Sequence, residues 1–479
     1  MNIPSLPGMN EMIPVADLMS LNNALRKGNI GYQTPASASG ASGDSLSPLV
    51  PQSIESSLAS ATYTMSELAI WPDMPKRQVT NNVHEYNVLN DHGLDFDPFI
   101  TEGGGGTTNR SEYTRESIKI KYLAERREVS DVATTVGILG SSANAIAEET
   151  ERGTMRLMQK LERSLLHAKE SLSSDSRQFD GIIKQIEDAG QVTDMRDGGV
   201  TANKLQEILA DVYAASSSGK GFGRPDTIYV EPRVHGDLIK QTVAYGRHDQ
   251  LQVSDSSLMF GHRDLTIMAP YGAVKVKAAP FLFNSYSAPS AGSLTTSAGS
   301  VAAPAVPAVS QQPVHDGTVA GTSQWVTAEA GDYIWKFVGV NKGGYSPAIA
   351  TSALAVTSGN KVEIVLTQNA LVDFYRVYRS SKGGAASTCK LITEVPNNTS
   401  VGGNFQFIDN NDDLPDTSRI LFLQNDPSVM EFVRLLDFLR RPLAEIATTK
   451  PFLLMLFGSP VVKVPTKCFS LKNVGISSA

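Results

Sequence analysis

The chain has 479 residues, a net charge of −7, a pI near 5.6 and 41% hydrophobic residues. That length suits two or three domains with ample buried surface, and the acidic balance argues against a protein that wraps nucleic acid by bulk positive charge. Its two cysteines, Cys389 and Cys468, lie far apart without C-x-x-C spacing, which points away from a disulfide framework or a cysteine zinc site.

Prolines and acids interrupt the first 28 residues (MNIPSLPGMNEMIPVADLMSLNNALRKG) before an apolar core forms, so no secretory signal is expected. The longest apolar run, Phe452 to Phe457, is far short of the roughly 18 residues of a membrane span. A soluble product made in the cytosol is the expectation. From Thr34 to Ser47 the chain has no periodicity, and a helix is predicted from Gln52 to Leu68, broken by Trp71-Pro72-Asp73-Met74-Pro75.

Gln78 to Leu89 and Ser117 to Ala124 both read as strands, the second by alternation of Ile118, Ile120, Tyr122 and Ala124 with Ser117, Lys119, Lys121 and Leu123. They frame a hairpin with a long polar tip, Asn90 to Glu116, which includes Gly103 to Gly106. Such a hairpin is marginal alone and needs a neighbour to lie on. A helix of roughly 45 Å follows from Ser142 to Ser171, with Leu157, Met158, Leu161, Leu165 and Ala168 on one stripe. Its early acids (Glu148, Glu149, Glu151) and later bases (Arg152, Arg156, Lys160, Arg163, Lys169) suit the helix dipole, and Gly153 marks a bend or a close-packing point.

From Thr201 the pattern becomes mixed α/β: a helix around Leu205 to Val212, a strand at Thr227 to Val230, a helix from Val234 to Tyr245, and strands at Leu265 to Ala269 and Ala273 to Val276. A stretch rich in Ser, Ala and Pro, Ser285 to Asp316, reads as a linker. Beyond it come short strands at Tyr333 to Asn341, Ser352 to Val356, Lys361 to Leu366, Phe374 to Arg379, Cys389 to Glu394 and Asn404 to Ile408, which favour a β-sandwich. Asp426 and Pro427 then resemble the N-cap and first residue of a helix running to about Arg440, followed by strands near Leu453 to Phe457 and Val461 to Val464. This tail is too short to hold a core alone, so the β-rich segment is expected to be inserted into a discontinuous host.

Catalytic motifs are missing. Ala214 stands where a phosphate-binding loop ending at Gly219-Lys220 needs glycine; His84-Glu85 is not followed by H-E-x-x-H spacing; neither G-x-S-x-G nor G-x-G-x-x-G occurs. His92 lies near Asp91, Asp95 and Asp97, a set better read as surface acids beside a turn than as a cation site. Gly103 to Gly106 lacks a following helix and a basic partner, so it reads as a tip and not a phosphate cradle. Arg126 and Arg127 beside Glu125 and Glu128 read as a solvated or intersubunit salt-bridge surface. No catalytic, cofactor-binding or metal residue is assigned, and a structural building block is the reading.

The order of parts, with Phe374-Tyr375-Arg376-Val377-Tyr378-Arg379, Phe407-Ile408-Asp409-Asn410, Leu414-Pro415-Asp416-Thr417 and Arg441-Pro442-Leu443-Ala444-Glu445-Ile446, resembles the major capsid proteins of tailed bacteriophages, closest to those of large contractile-tailed phages. The resemblance implies an α+β fold of the Hong Kong 97 type with an inserted all-β immunoglobulin- or fibronectin-like sandwich projecting outward. It implies an N-terminal arm at 1–72, an E-loop hairpin at 73–124, and a peripheral domain with the spine helix at 125–200 and 451–479. An axial domain at 201–284 and 425–450, a linker at 285–316 and the inserted domain at 317–424 complete the layout. It further implies hexamers and pentamers of an icosahedral head, assembled in the host bacterial cytoplasm around double-stranded DNA, with portal, scaffold and decoration proteins as partners and no membrane. Some members of the family crosslink the shell through a hairpin lysine; here no lysine lies between Lys76 and Lys119, so an uncrosslinked shell is expected. An encapsulin-like compartment protein is the alternative. A secreted glycan-active enzyme lacks an export signal and a paired-carboxylate cleft, and an adhesion protein would carry its β-module at an end.

Overall fold

The long helix predicted over 142–171 spans Ala145–His167 in the computed structural model, which describes residues 65–93, 99–106, 108–135, 144–172, 176–214, 222–245, 265–292, 302–316, 323–401, 403–445 and 447–476. The predicted arm before residue 65, most of the helix expected at Gln52 to Leu68, and parts of the hairpin tip and the linker lie outside the described residues. Asn144 opens the long helix, its side chain accepting the Ile146 N–H at 3.2 Å, and Ala168 ends it in an extended conformation. The helix is thus shorter than its hydrophobic stripe suggests, about 34 Å. Leu157, Met158, Leu161 and Leu165 are buried as the spacing requires. Gly153 marks a close approach: a Cβ there would come within 2.5 Å of Leu454 Cδ1 on the underlying sheet.

That sheet has four strands in the order Lys76–Gln78, Met430–Pro442, Thr449–Val462, Lys121–Ser130. Its second strand corrects the helix expected from Asp426 to Arg440. The capping signal is real but makes only a turn: Asp426 Oδ1 accepts the Ser428 N–H at 2.7 Å, and its carbonyl accepts the N–H groups of Val429 and Met430. Beyond the turn, ten registered pairs with residues 452–462 draw the chain into a ladder, and long-range pairing outweighs local helix preference. The closing strands expected at Leu453 to Phe457 and Val461 to Val464 are one strand.

A six-stranded sheet holds the α/β part, in the order Val192–Asp194, Phe469–Val474, Ser418–Leu423, Thr227–Val230, Gly272–Ala278, Thr266–Ala269. Helices Ala202–Tyr213 and Pro232–Tyr245 match their predicted places, and Leu205, Leu209, Val212, Ile228, Val274, Phe422 and Leu471 share one core. Pairing divides the tail differently from the expected 425–450 and 451–479. Residues 430–462 join the sheet beneath the long helix, whereas 418–423 and 469–474 join the α/β sheet.

Two further sheets, one built on Trp335–Asn341, Phe374–Arg379 and Lys390–Pro396 and the other on Val309–Asp316, Lys361–Leu366 and Asn404–Asp409, share a core of Trp335, Phe337, Ile364, Leu366, Tyr375, Val377, Phe405 and Phe407. Phe337 meets Phe407, and Tyr375 meets Phe405, at centroid distances of 5.8 and 4.5 Å across the two sheets. Val309–Asp316, expected to be linker, is a strand of this unit, and Ser418–Leu423, expected within it, belongs to the host sheet.

Candidate assembly surfaces

The hairpin is Val83–Asp91 paired with Glu112–Lys119, and these two strands form a sheet of their own. No residue in either strand is buried. The strand expected to run through Ala124 is divided at Ile120, whose N–H donates to Asn82 O at 2.8 Å, and the chain there passes from the hairpin into the four-stranded sheet. Val83, Leu89, Tyr113 and Ile100 stand exposed, and Phe99 is 87% exposed. A paired ribbon carrying apolar side chains into solvent presents both a ladder edge and a contact surface.

The hairpin root is fixed by polar and apolar contacts. Ser459 Oγ donates to Lys119 O at 2.8 Å and accepts the Lys121 N–H at 3.1 Å, while Ile120, Val433 and Val461 pack beneath. Buried Glu431 pairs with two cations, Lys463 at 2.9 Å and Arg77 at 3.4 Å, and the His84 ring of the hairpin lies 3.9 Å away.

Glu162 on the long helix, 1% exposed, accepts the backbone N–H groups of Ala69, Ile70 and Trp71 at 3.1, 2.7 and 2.9 Å. Burial raises the pKa of its carboxyl, while the three donors act in the opposite direction. Asp73, just beyond, accepts from Tyr229 Oη at 2.7 Å and from Lys277 Nζ at 2.6 Å. The segment leading into the hairpin is therefore tied to both the long helix and the α/β sheet.

Of the residues weighed from sequence, Asp91 accepts the Gly93 N–H at 3.2 Å, as in a turn; Asp95 and Asp97 lie outside the described residues. Gly103 to Gly106 are exposed, and Gly103 has φ +79° in a turn closed by the Gly104 N–H on Thr101 O. Arg127 reaches both Glu125 and Glu149, the latter on the long helix, so this charge pair braces helix to sheet. Arg126 pairs with Glu128 at the surface. Both cysteines are buried free thiols, and burial raises the pKa of each. Among the described residues no group of three or more His, Cys, Asp and Glu side chains could hold a metal ion, and no helix is long and apolar enough to cross a membrane. Sequence reading missed Glu162 and Glu431. Their partners lie tens to hundreds of residues away, so no local spacing announced them.

No protein-family profile matches the chain. It is 22% identical over 437 residues to the major capsid protein of Staphylococcus phage S25-3, covering 88% of this chain and 89% of that one. It is 23% identical over 444 residues, with the same coverage, to the putative major capsid protein of Enterococcus phage phiEF24C. Among solved structures, the capsid of Myoviridae phage XM1 superposes with a TM-score of 0.45 at 8% identity, over 88% of this chain and 97% of that one.

Proposed function

We propose that this chain, a relative of phage major capsid proteins with the Hong Kong 97-type fold, is the subunit whose copies close into the icosahedral head of a tailed bacteriophage. The sequence similarity to those proteins carries the reading. At 88% of the chain, the match cannot leave out the all-β unit of 309–409. The hairpin supports it physically: its exposed apolar side chains gain burial when a second copy supplies a surface. Many weak, symmetric contacts of that kind make a stable closed shell.

In this reading the copies form hexamers and pentamers, and the head encloses double-stranded DNA without sequence readout. Portal, scaffold and decoration proteins join during assembly in the host cytoplasm. The all-β unit serves as the inserted immunoglobulin-like module, bounded at about the strands 309–316 and 404–409. No catalytic role is proposed. Sedimentation of the chain expressed with its neighbouring genes tests the reading. A fast boundary of uniform particles supports it, and a slow monomer boundary under every co-expression contradicts it.

A further inference from the structure

The all-β unit leaves the host near Ser285 and returns through Asp409 to Thr417. At the root, Ser285 Oγ accepts the Asp416 N–H at 2.7 Å and donates to Leu391 O at 3.2 Å, so entry and exit are pinned together. Leu172, just past the long helix, packs with Val338, Val340, Phe374, Tyr378, Cys389 and Leu391 of the unit, and beside this apolar contact the unit meets the host along a polar seam. Arg196, in the host turn after Val192–Asp194, has φ +50° and sends its guanidinium to two residues of the unit and to Asn411 on the segment that returns from it. Nη1 donates to Asn411 O at 2.7 Å, and Nη2 donates to Gln324 O at 2.7 Å and Glu329 Oε2 at 2.6 Å. Asn473, also at positive φ, accepts the Leu414 N–H at 2.9 Å and donates to Asp412 O and Asp194 Oδ1, each at 2.8 Å. Arg177 pairs with Asp373 at 2.6 Å, and Lys472 with Asp412 at 3.4 Å.

Inside the unit, Arg379, 1% exposed, bonds Asp409 Oδ2 and Asn411 Oδ1, both at 2.7 Å, and stacks over Trp325 at 4.7 Å. Asn411 in turn donates to Glu329. Asn411 and Glu329 are thus held from one side by Arg379 and gripped from the other by Arg196. The seam borders a partly open cavity of about 270 Å³ lined by Lys169, Arg419, Lys472, Glu187, Asp412 and Asp413 among others, roomy and polar enough to hold water.

From this geometry we infer that Arg196 is a latch that sets the orientation of the all-β unit on the host, holding it as a rigid outrigger until the charged seam is broken. A planar guanidinium spanning two carbonyls and a carboxylate fixes direction, where a flexible ammonium does not. Opening uncovers Leu172 and its apolar neighbours on the unit, while the unit keeps its own aromatic core and the Arg379–Asp409 pair. The Arg196 and Glu329 side chains each keep about a quarter of their surface in solvent, so salt reaches the pair and the latch weakens as ionic strength rises.

Hydrogen exchange on the full-length chain, as wild type, Arg196→Ala and Arg196→Lys, tests the inference. In Arg196→Ala, amides of 324–329 and 409–414 are expected to exchange at least tenfold faster while those of 361–366 and 374–379 are unchanged; Arg196→Lys should fall between. Equal seam protection in all three proteins would overturn the latch. If Arg196→Ala fails to fold, the wild type decides. Its seam amides should lose protection between about 0.05 and 0.5 M salt, and salt-independent protection would overturn the inference.

Discussion

The Glu162 carboxylate accepts the Ile70 backbone N–H at 2.7 Å, joining the C-terminal third of the long helix to the segment that launches the hairpin. Ala69 and Trp71 donate to the same side chain, which is buried against these three donors. Glu162→Ala would leave the three N–H groups without their acceptor and is expected to destabilise the chain by about 2–4 kcal/mol. Urea unfolding checks the size. Faster exchange of amides 69–71 should accompany it.

Gly153→Ala tests how closely helix and sheet approach. Alanine favours helix by about 1 kcal/mol over glycine, yet its Cβ would lie 2.5 Å from Leu454 Cδ1 and 3.0 Å from Arg127 Nε. Overpacking of this kind is expected to win and cost about 1–3 kcal/mol. Thermal melting should show partial rescue when Leu454 is shortened to Val in the same chain.

His167 gives stability a pH dependence. Burial, then the nearby Arg419 and Arg163, lowers its pKa to about 3, and the neutral ring donates Nε2–H to Phe281 O at 3.1 Å. Below the ordinary pKa of 6.5 the unfolded chain therefore takes up a proton that the folded chain refuses, and stability falls as pH falls toward 3. The slope is at most about 1.4 kcal/mol per pH unit, and less in practice because the ring is only half-buried. His167→Gln, which keeps an N–H donor, should flatten the wild-type slope between pH 6.5 and 5.5 in paired denaturation curves.

The hairpin lacks an amine between Lys76 and Lys119. Shells dissolved in hot detergent and reductant are expected to run as a single band at the 51.4 kDa monomer mass. A ladder of multiples would show a covalent link formed elsewhere in the chain.

The long helix, the α/β segment and most short strands were legible because their burial repeats locally, as Leu157, Leu161 and Leu165 do on the helix. Asp426 and Pro427 misled because a good cap says where a helix can start, not whether a ladder partner such as residues 452–462 will claim the chain beyond it. Ile118 to Ala124 read as one strand because alternation continues unbroken while the pairing partner changes at Ile120. Glu162 and Arg196 were invisible for another reason. Their partners Ile70 and Glu329 are 92 and 133 residues away, and a single charged residue on a helix or in a turn looks solvated until the fold brings its acceptor or donor to it.

The most direct measurement is an electron cryomicroscopy reconstruction of particles formed by the full chain co-expressed with its neighbouring genes. The expected result is a closed icosahedral shell in which the 83–119 hairpin of each copy lies against an adjacent copy, covering Leu89, Phe99 and Tyr113. A monodisperse monomer, or a shell in which those side chains face solvent, would contradict the assembly role assigned to the hairpin.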